Sequence, residues 1–261
     1  KNWVGASQMN TAERVVEILD TLASSAGSCG VSEISRQLGL GKNNVFRILS
    51  ALESKGWVHQ DVETRRYSLT GAMARVALQS LSQLDIQRVS LPFLDELQAI
   101  TGETSALSIR VDFERMFISS VPSHHEVRQM VPLGERRQMW YGSGGRAILA
   151  FMAEEEIGAV LRQFEASGVS VLAGGQAVTI DSLRQELAQV RSQGFSAAAG
   201  ERTSGICGVS APIFNHEQKV VGSLSVSGPM PRFDLDKACQ HGPLVLDRAK
   251  KISSILGASI A

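Results

Sequence analysis

Two short apolar stripes separated by a tight turn constrain the fold of this chain more than any other feature. Val31, Ile34 and Leu38 recur at helical spacing, with Ser32 as the expected cap, and Gly39 can close the helix because glycine enters the left-handed conformation cheaply. Leu40 and Gly41 make the turn. Val45, Ile48, Leu49 and Leu52 then fall at i, i+3, i+4 and i+7, which predicts a second helix over 42–55 with one buried face, stopped by Gly56. Upstream, Val15, Val16, Ile18, Leu19 and Leu22 predict another helix within 9–25, with Asn10 and Glu13 at capping-box spacing. Downstream, Trp57–Gln60 and Arg66–Leu69 alternate like two short strands about the turn Asp61–Arg65. Three helices followed by a hairpin make a winged helix-turn-helix.

The outward face of the second of the paired helices carries Lys42, Asn43, Asn44, Phe46 and Arg47. Asn matches the donor and acceptor pattern of an adenine edge, and Arg or Lys reaches guanine or phosphate. The N-terminal part of that helix is the part that meets base edges in such modules, and Arg65 and Arg66 near the wing tip are set against phosphate. A three-helix protein-interaction module would show the same stripes, but its binding would lack the salt dependence that phosphate contacts impose. Total charge does not decide between them. The chain has 26 basic and 26 acidic residues, and residues 1–70 hold eight basic against seven acidic side chains, a formal charge of +1. Recognition of DNA has to rest on a few placed cations. Operators read by such modules are two-fold, so a homodimer or homotetramer is expected.

Beyond residue 70, helical stripes cover Gly71–Leu81 and Ile86–Thr101, the latter with Pro92 taken as near its start. The pattern then turns strand-like at Thr104–Val111, Arg115–Val121 and Glu126–Val131. Helices are expected at 146–151, 154–164 and 180–193, strands at 195–199, 206–214 and 220–227, and a last helix at 235–256. The turn Asn215–Gln218 makes the last two strands an antiparallel hairpin, so this part reads as an α+β sensor-like domain. The expected division is 1–71 for the winged helix, 72–89 for a linker helix and 90–261 for effector binding and oligomerisation.

Gly142-Ser143-Gly144-Gly145-Arg146-Ala147 fits the dinucleotide pattern, which makes a nicotinamide-dependent enzyme using this loop the alternative function. A dinucleotide site needs a buried strand before the loop and βαβ repeats around it, whereas Glu135–Tyr141 is mostly polar. The loop reads better as a helix N-terminus able to hold a carboxylate, with Met139, Trp140 and Tyr141 beside it and the two aromatics as candidate pocket walls. Glu201 and Arg202 read as solvated loop residues. No catalytic triad and no pair of ligands at metal spacing occurs, so no cofactor, metal or enzymatic activity is expected. Three scattered cysteines, no apolar run of about 18 residues and no secretory h-region after Lys1-Asn2-Trp3 suggest a cytoplasmic protein without a membrane segment.

The run Val31–Leu40, then Lys42, Val45, Arg47, Ile48 and Leu49, then Leu52-Glu53, Gly56-Trp57-Val58 and Arg66–Leu69, resembles the helix-turn-helix of IclR-type transcriptional regulators. Gly102-Glu103-Thr104, Gly145–Ala150, Arg191–Phe195, Glu201, Gly205-Ile206, Ala211–Ile213 and Ser225–Pro229 follow in that family's order. The resemblance implies an N-terminal winged helix, a linker helix and a GAF-like α/β effector-binding domain with an antiparallel sheet. It also implies double-stranded operator DNA and a small carboxylate effector as partners, acting in repression or activation. By the same resemblance the effector site comprises Ser143, Gly144, Ala198, Gly208, Ser225 and Ser227. The chain departs from the family in having Asn43-Asn44 for Ser-Thr, Arg65 for a wing glycine, and small residues at Ala198 and Gly208 where the family often has an acid and a cysteine. A cysteine one place away, at Cys207, belongs to the other face of a strand and inherits no ligand role. The small positions suggest a bulkier, partly apolar or aromatic acid rather than one of two or three carbons.

Overall fold

The computed structural model describes residues 9–25, 27–73, 75, 86–169, 171–201 and 203–259. They form two compact units, residues 1–83 and 84–261. Most of the helical stripe expected over Gly71–Leu81, and with it most of the 72–89 joint, lies outside the described residues.

In the first unit, α1 (Thr11–Ser24) begins with the capping box foreseen at Asn10 and Glu13. Helix α2 (Val31–Leu38) ends at Gly39 with φ of 64°. Its cap is Gly30 rather than Ser32, because the Glu33 carboxylate accepts the Gly30 N–H at 3.0 Å and satisfies the helix start without a hydroxyl. Helix α3 (Lys42–Ser54) buries Val45, Ile48, Leu49 and Leu52. Ile18, Ile34, Leu38 and Tyr67 join them in one core. Strands β1 (Val58–Gln60) and β2 (Tyr67–Leu69) pair antiparallel as the wing. A bridge between Cys29 and Tyr67 ties the wing's base to the chain entering α2.

In the second unit, α4 (Ile86–Thr101) precedes β3 (Thr104–Val111), β4 (Glu114–Val121) and β5 (Arg136–Gln138). Then come α5 (Gly142–Leu149), α6 (Glu154–Ala166), α7 (Ile180–Gln193), β6 (Ser196–Ala199), β7 (Ile206–Phe214), β8 (Val220–Pro229) and α8 (Leu235–Ile255). The sheet runs β5-β4-β3-β8-β7-β6 and every pairing is antiparallel. Period-2 alternation splits its faces. Leu107, Cys207, Val209, Ala211, Leu224 and Val226 pack with Leu94, Leu97, Val245 and Ile252 of α4 and α8. The opposite face is small and polar, with Ala106, Ser108, Gly208, Ser210, Ser223 and Ser225 toward α5.

Three expectations change. Pro92 sits well inside α4, where it has no N–H to give the carbonyl four residues back, and not in the first turn. Residues 126–131 form no strand, since Pro122 and Pro132 bracket the stretch and the Thr104 hydroxyl donates to the Gln129 carbonyl at 2.8 Å. The edge strand is instead β5. Helix α5 starts four residues before Arg146, because Gly142 takes φ of 67° to turn out of β5, and a Cβ on Gly145 would lie 2.3 Å from the Met139 carbonyl oxygen. The glycines of the loop thus serve a close strand-to-helix crossing. An all-antiparallel sheet with a short polar strand before the loop rules out the dinucleotide reading. Among the described residues no helix is long and apolar enough to cross a membrane.

Candidate functional site

Burial of one side of α3 leaves Lys42, Asn43, Phe46 and Arg47 exposed and Asn44 half-buried, so the expected reading face is open. Phe46 is 55% exposed, which is costly for a large apolar side chain on a face that meets only water. At the wing tip the Asp61 carboxylate accepts the Thr64 N–H and hydroxyl, both at 2.7 Å, and Arg65 is forced to φ of 57°. The Arg65 side chain is exposed.

Arg66 is placed differently from its neighbour. Its Nη1 and Nη2 donate to the two Glu33 oxygens at 3.0 and 2.8 Å, its Nε to the Ser28 hydroxyl at 3.1 Å and its Nη2 to the Ser28 carbonyl at 2.9 Å. The guanidinium is engaged within the unit and fixes the wing to α2. Its hydrogen bonds hold the Glu33 carboxyl down to about 2, helped by the Gly30 N–H and the Cys29 thiol.

In the second unit a cavity of about 80 Å³ lies between the small-residue face of the sheet and the start of α5. Six expected residues line it: Ser143, Gly144, Ala198, Gly208, Ser225 and Ser227. Register explains their convergence. Ala198, Gly208 and Ser227 stand abreast on β6, β7 and β8, and Ser210 and Ser225 stand abreast one step along. Hydroxyls form a chain across the floor, with Ser143 to Ser210 at 2.8 Å and Ser210 to Ser225 at 2.9 Å. Arg115, Phe117, Gln129, Val131, Ser210 and Glu201 also line the cavity and were not foreseen as pocket residues. Alternation along β4 could have pointed to Arg115 and Phe117, which share a face two residues apart.

Met139, Trp140 and Tyr141 are not in that lining. Met139 is fully buried, and Trp140 packs edge-on to Phe164 of α6 with ring centroids 5.7 Å apart. The turn into α5 directs these side chains into the core under α6 and α7. Glu201 is also corrected. It is not solvated but 10% exposed at the side chain, accepting the Gly142 N–H at 2.9 Å and pairing with Arg146. The anion foreseen at this helix N-terminus is thus supplied in part by the chain itself. Arg146 is buried and also lies 2.6 Å from Glu186, whose carboxyl is pushed up by burial and only partly pulled back by Arg146. Arg202 lies outside the described residues. Cys207 faces the opposite core, where burial pushes its thiol up to about 11, in keeping with its exclusion from the pocket.

A winged helix-turn-helix in one unit, and in the other an antiparallel sheet with a small polar pocket against a helix N-terminus, define a two-part DNA-binding regulator. Residues 11–62 match the IclR helix-turn-helix domain, and residues 78–254 match the family model described as bacterial transcriptional regulator IclR C-terminal. The chain belongs to the IclR family and is a DNA-binding transcriptional regulator, not an enzyme. It is 31% identical over 245 residues to the HTH-type transcriptional repressor AllR of Escherichia coli K12, a match that covers 94% of this chain and 89% of that protein. Among solved structures, a putative IclR regulator from a Silicibacter species has a TM-score of 0.81 at 24% identity, over 97% of this chain and 98% of the other. An IclR homologue from Microbacterium hydrocarbonoxydans, solved with 4-hydroxybenzoate, has a TM-score of 0.57 at 23% identity, over 96% of this chain and 100% of the other.

Proposed function

We propose that Lys42, Asn43, Asn44, Phe46 and Arg47 read an operator, that Arg65 meets phosphate at the wing tip, and that a small organic acid in the serine-lined cavity modulates this binding. Homodimers or homotetramers would present two reading heads to a two-fold site. The carrying observation is the hydroxyl chain Ser143–Ser210–Ser225 lining one side of the cavity at the N-terminus of α5. Such a floor offers a carboxylate several donors beside a positive helix end. The cavity's size argues for a compact acid. At about 80 Å³ it is smaller than the roughly 150 Å³ that accepts benzene in an engineered apolar cavity. The aromatic class lost the support of Trp140 and Tyr141 but retains that of Phe117 in the wall and of the relative holding 4-hydroxybenzoate. It is the second reading.

The effector must favour one state of the protein to shift DNA binding at all. The test is a DNA fragment selected from a randomised pool, titrated by anisotropy with glyoxylate, pyruvate, succinate or 4-hydroxybenzoate present. At least one acid should change the affinity by about 5-fold or more. Unchanged affinity with every acid would overturn the effector assignment. Loss of binding in Arg47→Ala, with the fold intact by circular dichroism, is the expected result for the reading face.

A further inference from the structure

We infer that Phe46 reads thymine: its ring packs against the 5-methyl group of one thymine in the major groove of each half-site. The inference rests on the reading of the outer face of α3 as the operator surface, and it names a base for that surface. Burial of Val45, Ile48, Leu49 and Leu52 fixes the roll of α3. At about 100° per residue, Asn43, Phe46, Arg47 and Ser50 then share the side opposite the buried stripe. Phe46 is 55% exposed and lies outside the set of side chains packed on the core of its unit. Exposed Lys42, Asn43 and Arg47 stand beside it on the helix.

That company selects the occupant. An apolar protein surface would strip water from all three polar side chains and give them no acceptors. DNA meets each of them with an acceptor, and its major groove carries one apolar group, the C5 methyl of thymine. In a helix-turn-helix the N-terminal part of the second helix lies at the base edges of that groove, and Phe46 opens the second turn of α3. A purine facing the ring would turn its N7 acceptor toward a side chain with no donor. A cytosine would present a hydrogen where thymine has the methyl. The ring should therefore favour thymine over cytosine, and cytosine over either purine.

The test uses the full-length protein and a DNA fragment that it selects from a randomised pool. Each thymine is replaced in turn by uracil, which keeps every hydrogen-bonding group and lacks only the methyl. Binding is read by anisotropy at fixed salt. For the wild type, uracil at one position of each half-site should weaken binding about 4-fold, the share of one buried methyl. Phe46→Ala should bind the thymine fragment more weakly and lose the distinction at that position, and Phe46→Leu should restore part of it. The ring is exposed, so both variants should keep the circular dichroism of the wild type. The salt dependence of Phe46→Ala should match the wild type, because the ring neutralises no phosphate. A wild type that binds every uracil fragment as tightly as the thymine one would overturn the inference. So would a Phe46→Ala variant that still prefers thymine at the same position, or one that loses affinity equally for both fragments. Loss of binding in Arg47→Ala without any thymine preference would overturn the methyl contact alone. Binding unaffected by Lys42→Ala, Phe46→Ala and Arg47→Ala would overturn the reading of the α3 face, and this inference with it.

Discussion

Replacing Glu201 with glutamine removes a charge from one of the most enclosed ion pairs among the described residues. The Arg146 side chain is 4% exposed and that of Glu201 is 10% exposed. Among the described residues, Arg146 Nε and Nη2 find no hydrogen-bond acceptor, so the guanidinium depends on what meets Nη1, namely Glu201 and Glu186. Breaking a buried pair by removing one partner costs about 3–5 kcal/mol, because a buried charge is left behind. Glu186 remains 2.6 Å from Arg146 Nη1 and still offsets part of the guanidinium's charge, so the lower end, about 3 kcal/mol, applies. For a unit of this size each kcal/mol moves the melting point by roughly 2–4 °C, so the shift should be about 6–12 °C. The assay is urea denaturation of the second unit followed by fluorescence of buried Trp140, with an unchanged m-value. The double variant Arg146→Met with Glu201→Gln should recover part of the loss, since the stranded charge is gone. A loss below about 1 kcal/mol in the single variant, or a double variant less stable than the single, would refute the reasoning.

Other outcomes follow from named positions. Arg65→Gly should leave stability within about 1 kcal/mol, since relief of the left-handed backbone is offset by the freer unfolded glycine. It should nonetheless lower the salt dependence of DNA binding by about 0.9 for each phosphate that the arginine would have neutralised. An unchanged salt slope would remove Arg65 from the interface. The Glu33 carboxyl falls from 4.5 to about 2 on folding, so its contribution is complete above pH 4.5 and is lost as the pH drops toward 2. Acid titration of wing signals by NMR should show that loss, and Glu33→Gln should abolish its pH dependence. Under native conditions iodoacetamide should label exposed Cys239 well before buried Cys29 and Cys207, as read by peptide mass spectrometry.

The fold was largely legible because its signals are periodic. The stripe Val45, Ile48, Leu49 and Leu52 and the alternation from Ile206 to Phe214 each follow from burying one face of a regular element. The misses have a different physics. Arg66 and Arg65 are adjacent in the turn before β2, with Arg65 at φ of 57°, and only the position of Glu33 shows that Arg66 is engaged within the unit. Glu201 looked solvated because its partner Arg146 lies on a distant helix. Trp140 sits next to pocket residues along the chain, yet the turn at Gly142 sends it the other way. Long-range pairing and the direction of a turn carry no local pattern, so half of the pocket wall, Arg115 among it, emerged only in three dimensions.

The small-residue face of the sheet has a consequence for how the second unit can change. Leucine, isoleucine and valine on the other face lock β3, β7 and β8 to α4 and α8, so most of the sheet's apolar anchoring is on the side away from the cavity. Serine, alanine and glycine toward α5 contribute little burial of their own. Substitutions there trade one hydroxyl or methyl for another at low cost to the scaffold, so the chemistry of the cavity can drift over generations while the frame that carries it stays put.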